Sequence, residues 1–515
     1  MWKALLAATV LLALTSASFA ELQNVEVGGE VRIRGRWWRN GFAGRTLVGT
    51  PRAFVPKRPI GPFALTSLYD WDDRGNDRKI IEQRTHLNVR ADFTDEVAAF
   101  VELDSYSVWG EDFRSNWITG VDSRANSIDD LEVYQAYIEV NELFGQPLRL
   151  RIGRQDLVMG KGWLVGNQIS PTLGVSFDAI RLTYAVDQFS VDAWCAKLVD
   201  TGFVEEDGDV DFYGIYATYR GFEPVELSAY WFWVRDARQL NDTNFVWFVE
   251  WLEDIFGVDD YDVTNLHTIG IRANGECAAF DYDLELAYQF GNADAVGAGF
   301  APFIWGDDEA DFDAWAADLE VGYTFDMAWQ PRVFLGGAYF EGEDNRDLSF
   351  WDWVNPLYDP EASVSFNRLF SKIWYTANFD ILGGAAAFSN FYQLRGGVAV
   401  HPTETIAAGL NLAYFWVDEP FDAPVSFDLL GFRVPIAPAL SFWTQEVDDD
   451  IGLVSHIWLK YDYSEDLFFK VGWEHLFTDD GMSDGNFVFR NGLMSSQGTD
   501  DDGADYIYFD TGLKF

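Results

Sequence analysis

Apolar and polar residues alternate along most of this chain with a period of two, in segments of about ten residues. In Val25 to Trp38, the residues Val25, Val27, Val31, Ile33 and Trp37 interleave with Glu26, Glu30, Arg32, Arg34 and Arg36. A helix would spread those arginines around its circumference. A strand puts them on one face and the apolar set on the other. The pattern recurs: Thr85, Leu87, Val89, Ala91 and Phe93 alternate with Arg84, His86, Asn88, Arg90 and Asp92. Leu148, Leu150 and Ile152 alternate with Arg149 and Arg151, and Tyr282, Leu284, Leu286, Tyr288 and Phe290 with Asp283, Glu285 and Gln289. Eighteen strands are predicted, at 25–39, 80–93, 96–107, 131–141, 147–157, 176–186, 188–199, 209–220, 224–235, 265–275, 277–291, 314–326, 330–342, 385–401, 404–417, 450–463, 466–478 and 503–515.

The connections carry a second pattern. After even-numbered strands they are tight, as at Thr94-Asp95, Pro402-Thr403 and Ser464-Glu465. After odd-numbered strands they are mostly long: 40–79, 108–130, 236–264, 292–313, 343–384, 418–449 and 479–502. A soluble β-sandwich has no reason to alternate in this way. A transmembrane antiparallel up-and-down β-barrel does, with short periplasmic turns and long extracellular loops. An even strand number leaves both termini in the periplasm. An all-β barrel of about eighteen strands leaves a water-filled channel. Loops 343–384 and 418–449 are long enough to enter it. The apolar Phe432, Val434-Pro435-Ile436 and Phe442-Trp443 make 418–449 the expected constriction.

Composition agrees. The chain is 17% aromatic, with 22 Trp, 22 Tyr and 43 Phe, which suits a wall with aromatic rings at both membrane boundaries. Residues 1–20 are expected to be a signal peptide. Lys3 starts it, Ala4 to Leu14 is apolar, and Ser18-Phe19-Ala20 offers small residues for cleavage, leaving 21–515 as one barrel domain. The final strand puts Ile507, Phe509, Leu513 and Phe515 on one parity, a pattern suited to recognition by outer-membrane assembly machinery. The outer membrane of a Gram-negative-type bacterium is therefore the expected location.

The formal charge of −47 excludes nucleic acid as a partner. Across 236–264, 292–313, 418–449 and 479–502 there are 27 acidic residues and three basic ones, an exterior that repels neighbours. Asp307, Asp308, Glu309, Asp311 and Asp313 form a candidate Ca²⁺ cluster of hard oxygen ligands, without EF-hand spacing, and Asp500-Asp501-Asp502 is similar. A calcium-dependent surface or adhesion barrel is thus an alternative. Cys195 and Cys277 fall on separate strands and lack CxxC or metal-type neighbours.

The bases alternate with apolar residues and so are expected to face the lumen. They are Arg32, Arg34, Arg36, Arg84, Arg90, Arg149, Arg151, Arg181, Arg272, Arg332, Arg395 and Lys470. An arginine facing lipid costs about 2–4 kcal/mol near the midplane. Most should pair with lumen carboxylates such as Glu30, Asp92, Glu102, Asp104, Asp318 and Glu320, leaving a minority to contact an anionic solute. No catalytic residues are expected. Five histidines exist, His86, His267, His401, His456 and His475, none in a hydrolase or zinc motif.

Gln135-Ala136-Tyr137-Ile138 precedes Leu150-Arg151-Ile152-Gly153-Arg154-Gln155-Asp156-Leu157, and Phe177 to Tyr184 reads Phe-Asp-Ala-Ile-Arg-Leu-Thr-Tyr. With Phe366-Asn367-Arg368-Leu369-Phe370, Asn378-Phe379-Asp380 and the strands from Ile451, this order resembles the alginate-export family of outer-membrane barrels. The resemblance implies an eighteen-stranded monomeric porin with an electropositive, arginine-lined pore for a polyuronate. It singles out Arg154 first and Arg181 next as solute contacts. The acidic exterior departs from that picture and keeps other saccharides, or general diffusion, open.

Overall fold

In the computed structural model eighteen antiparallel strands form one closed ring. In chain order they are β1 (Asn24–Arg39), β2 (Arg78–Asp92), β3 (Val97–Val108), β4 (Leu131–Val140), β5 (Leu148–Gln155), β6 (Phe177–Val186), β7 (Phe189–Val199), β8 (Val210–Phe222), β9 (Val225–Asp236), β10 (Thr264–Cys277), β11 (Phe280–Asn292), β12 (Asp311–Thr324), β13 (Arg332–Phe340), β14 (Phe391–Thr403), β15 (Ile406–Val417), β16 (Asp450–Asp462), β17 (Leu467–Thr478) and β18 (Ala504–Lys514). Each pairs with its sequence neighbour, and β1 also pairs with β18, from Glu30 opposite Lys514 to Arg39 opposite Asp505. Closure satisfies the backbone of every strand and leaves no edge, as a lipid environment requires.

The structure describes residues 22–39, 78–93, 96–109, 131–167, 174–200, 209–237, 263–292, 311–342, 363–380, 389–419, 448–480 and 503–515, with isolated short strands at 423–424, 426–429, 432–435, 444–445, 488–489 and 493–494. The expected signal peptide 1–20, the acidic Asp307, Asp308 and Glu309, and Asp500-Asp501-Asp502 lie outside the described residues. So does most of 418–449, the expected constriction.

Strand ends agree with the periodicity to within three residues, with one exception. β14 begins at Phe391 rather than 385. Asn390 takes a left-handed φ of 58°, which breaks an extended run. Its side chain is spent on the neighbouring connection, accepting from the Glu419 amide at 2.8 Å and donating to the Glu419 carbonyl at 3.1 Å.

The pleat separates two environments. Outward, Ile215, Leu227, Ile269, Ile271, Leu319, Val321 and Leu335 form an exposed aliphatic belt. Aromatic rings border it on both rims. Toward the long loops Tyr213 stacks on Trp233 at 5.0 Å, Tyr288 meets Trp315 at 4.5 Å, and Tyr392 stacks on Trp416 at 5.1 Å. Toward the short turns stand the pairs Tyr219–Phe222, Phe280–Tyr323 and Tyr461–Tyr463. This is the surface a lipid bilayer covers.

Inward, one side of the barrel is filled. Residues 156–167 and 365–378 fold into the lumen and join each other. Phe370 N donates to Leu164 O at 2.9 Å, Gly166 N to Phe370 O at 3.0 Å, and Lys372 N to Gly162 O at 3.0 Å. Trp163, Phe366, Leu369 and Phe370 pack there against Phe177, Phe212, Phe232, Phe340 and Phe391 from the wall. Full burial of each such ring contributes about 1.5–3 kcal/mol, so this infold is a built partition.

Candidate functional site

The unfilled side of the lumen holds a cavity of about 830 Å³. Its lining follows from strand parity. On β1 the even residues point inward and supply Arg32, Arg34 and Arg36, and β17 supplies Lys470. Arg32 is ion-paired with Asp510 on β18. Arg36 pairs with Glu82 on β2, and Arg34 Nε lies 3.6 Å from the same carboxylate. The Lys470 ammonium rests over the rings of Trp458 and Tyr508 at 5.5 and 5.6 Å, a cation–π seat. Trp374, Tyr506 and Tyr508 complete this wall.

The opposite wall is acidic. β10 to β12 bring Glu276, Asp281, Asp283, Asp318 and Glu320 to the cavity. β1 and β10 are nine places apart in a ring of eighteen, so the two walls face each other. Asp281, Asp283, Asp318 and Glu320 are held by bases of their own. Arg332 binds Asp281 and Glu320, the latter at 2.9 Å. Arg395 reaches Asp318 at 2.8 Å. Arg272 pairs with Asp283. Lys161, from the infolded 156–167 segment, reaches Asp318 at 2.6 Å and Asp283 at 3.0 Å.

The remaining predicted bases also face inward but sit away from the cavity. Arg84 binds Asp104 at 2.9 Å, Arg151 binds Glu139 at 2.6 Å, and Arg90 bridges Asp92 and Glu139. Arg181 binds Asp192 at 2.8 Å, and Arg149 lies 3.5 Å from the Thr183 hydroxyl. Arg84, Arg90, Arg151 and Arg181 are thus each matched to a carboxylate of the wall.

Three expectations change. Arg154 faces outward, where it makes a two-pronged pair with Asp178 at 2.8 and 2.9 Å and is 46% exposed at the side chain. The parity that turns Arg149 and Arg151 inward requires this, because 154 has the other parity. Asp311 and Asp313 belong to β12 and stand on its exposed outer face, Asp313 accepting from Tyr288 at 2.8 Å. Asp307, Asp308 and Glu309, the other members of the expected Ca²⁺ cluster, lie outside the described residues. The cavity is also not electropositive as a whole. Arg32, Arg34, Arg36, Lys161, Lys372, Arg395 and Lys470 are seven cations, matched by seven carboxylates, Glu276, Asp281, Asp283, Asp318, Glu320, Glu474 and Asp510. Charge is segregated rather than summed.

Sequence reasoning missed Lys161, Lys372 and Glu474. The signal for Lys161 was the apolar run around it, Leu157, Met159 and Trp163-Leu164-Val165, which a solvated loop does not need. Asp448, Asp449 and Asp450 also went unnoticed as a group; each offers an oxygen within 4.8 Å of the others. Cys195 and Cys277 are free and exposed.

A family model described as alginate export matches residues 71–423. No curated protein sequence matches the chain. Among solved structures, OccK8 (OprE) of Pseudomonas aeruginosa is 10% identical at a TM-score of 0.49, covering 96% of this chain and 98% of that one. OccAB4 of Acinetobacter baumannii is 10% identical at 0.48, covering 96% and 100%. OprD of Pseudomonas aeruginosa is 11% identical at 0.48, covering 96% and 97%. The fold itself rests on the closed pairing of the eighteen strands.

Proposed function

The chain belongs to the alginate-export family, and from that premise we propose that this outer-membrane channel passes an anionic saccharide along its β17–β18–β1 wall. The observation that carries the reading is that wall's composition. Arg32, Arg34, Arg36 and Lys470 line one side of the cavity beside Trp374, Tyr506 and Tyr508. Guanidinium groups replace water around a carboxylate, and ring faces suit the apolar face of a sugar. Family and fold are those of channel proteins.

The balanced lining, seven charges of each sign, supports a second reading, weakly selective general diffusion. Planar-bilayer recordings separate the two. An oligouronate should block the current at lower concentration than a neutral oligosaccharide of equal length, and Arg32→Ala with Lys470→Ala should erase the difference. Equal block by both saccharides in the unaltered protein supports general diffusion and refutes the anionic reading.

A further inference from the structure

The infolded segment 366–378 crosses the lumen, and its two ends are held in different ways. At the near end Asn367 exchanges two hydrogen bonds with Gln289 of β11, both at 2.7 Å, and Phe370 packs on Phe177 of β6 and Phe212 of β8. Arg368 is fully buried, stacked on Phe340 and Tyr375, and Lys372 is tied by its amide to Gly162. The far end reaches the other side of the barrel. Trp374 packs there with Trp38 of β1 and Tyr506 of β18. Then three consecutive residues fasten to one atom. Glu474 Oε1, on β17, accepts from Thr376 Oγ1 at 2.5 Å, the Ala377 amide at 3.0 Å and Asn378 Nδ2 at 3.1 Å.

The near end is an apolar interlock with a second segment and four strands. Tyr375 is tied to Asp318 and Trp163 at 2.9 Å each, and beyond it the strap is held by the packing of Ala377 against Trp38 and Tyr506 and by one carboxylate, 7% exposed at the border of the cavity, which takes three of its hydrogen bonds. A charged acceptor strengthens all three bonds at once, so their loss is concerted. We propose that Glu474 is the positioning residue that latches this strap across the channel and thereby sets the aperture through which solute passes. Released at Glu474, the part of the strap beyond Tyr375 swings from its Phe366–Tyr375 anchor and widens the gap beside the β17–β18–β1 wall. The inference rests on the channel reading above, because an aperture has meaning only in a conducting barrel.

Purified full-length protein is recorded in planar bilayers, with neutral polyethylene glycols of graded size as probes of the exclusion limit. Glu474→Ala should raise unitary conductance about twofold or more and admit larger polymers. Glu474→Gln keeps an amide oxygen at the same place and should stay near the unaltered value. A paired change on the strap itself, Thr376→Val with Asn378→Ala, leaves the wall intact and should reproduce the wide state even if Glu474→Ala does not assemble. Heat-modifiable migration confirms a folded barrel in each case. Unchanged conductance and exclusion limit in a folded Glu474→Ala or strap variant overturns the latch while leaving the channel reading standing. A silent parent that conducts once Glu474 is replaced supports the latch. Silence in parent and variants alike overturns the channel reading and the latch with it.

Discussion

Asp318→Asn tests whether the infolded partition is held by buried charge as well as by its aromatic core. Asp318 is 3% exposed and holds Arg395 through contacts of 2.8 and 3.1 Å, Lys161 at 2.6 Å and the Tyr375 hydroxyl at 2.9 Å. The asparagine fills the same space but removes the charge that balances two cations. Breaking a buried pair costs about 3–5 kcal/mol when the survivor is left alone. Here Arg395 keeps Glu320 at 3.4 Å and Lys161 keeps Asp283 at 3.0 Å, and Lys161 is 21% exposed. The loss should therefore be smaller, about 2 kcal/mol. That corresponds to roughly a thirtyfold rise in the population with residues 156–167 detached from the wall. Hydrogen exchange followed by mass spectrometry reads this directly, as faster exchange in peptides covering 156–167. Single-channel records should show added flicker. Unchanged exchange in 156–167, in a variant that still migrates as a folded barrel, would refute the role given to Asp318.

Two further predictions concern the outer surface. Arg154→Ala should leave conductance and ion selectivity unaltered and cost at most about 1 kcal/mol, because its pair with Asp178 is exposed and outside the lumen; altered selectivity in bilayer recordings would contradict that placement. Leu319→Arg puts a charge in the middle of the aliphatic belt, between the girdle positions of Trp315 and Tyr323, and should destabilise the barrel by about 2–4 kcal/mol. A denaturant midpoint equal to that of the parent protein would mean β12 does not present this face to lipid.

The barrel was legible because period-two alternation is a local signal that every strand repeats. Parity placed Arg32, Arg84, Arg181, Arg272 and Arg395 inward without knowledge of their partners, and the structure agrees. Arg154 went astray where motif resemblance was preferred to parity; β5 alternates through Arg149, Arg151 and Gly153, so residue 154 faces out. That loop 343–384 could enter the lumen was legible from its length, but where it docks was not. Its anchors are pairs such as Asn367 with Gln289 and Thr376 with Glu474, 78 and 98 residues apart, which no local pattern encodes. Leu157 looked like the end of a strand, yet it belongs to the infold, because a segment packed inside a barrel is apolar for the same reason as a core strand. Net charge misled in another way. It sums over loops, wall and lumen, whereas the cavity lining alone carries seven charges of each sign.

The central claim is that the closed ring of eighteen strands encloses a water-filled path beside its aromatic partition. Single-channel recording of the purified, heat-modifiable protein in a planar bilayer tests it most directly. Discrete, stable current steps through the unaltered protein are the predicted result, whereas a folded barrel that passes no current in either the parent or the strap-released form would contradict it.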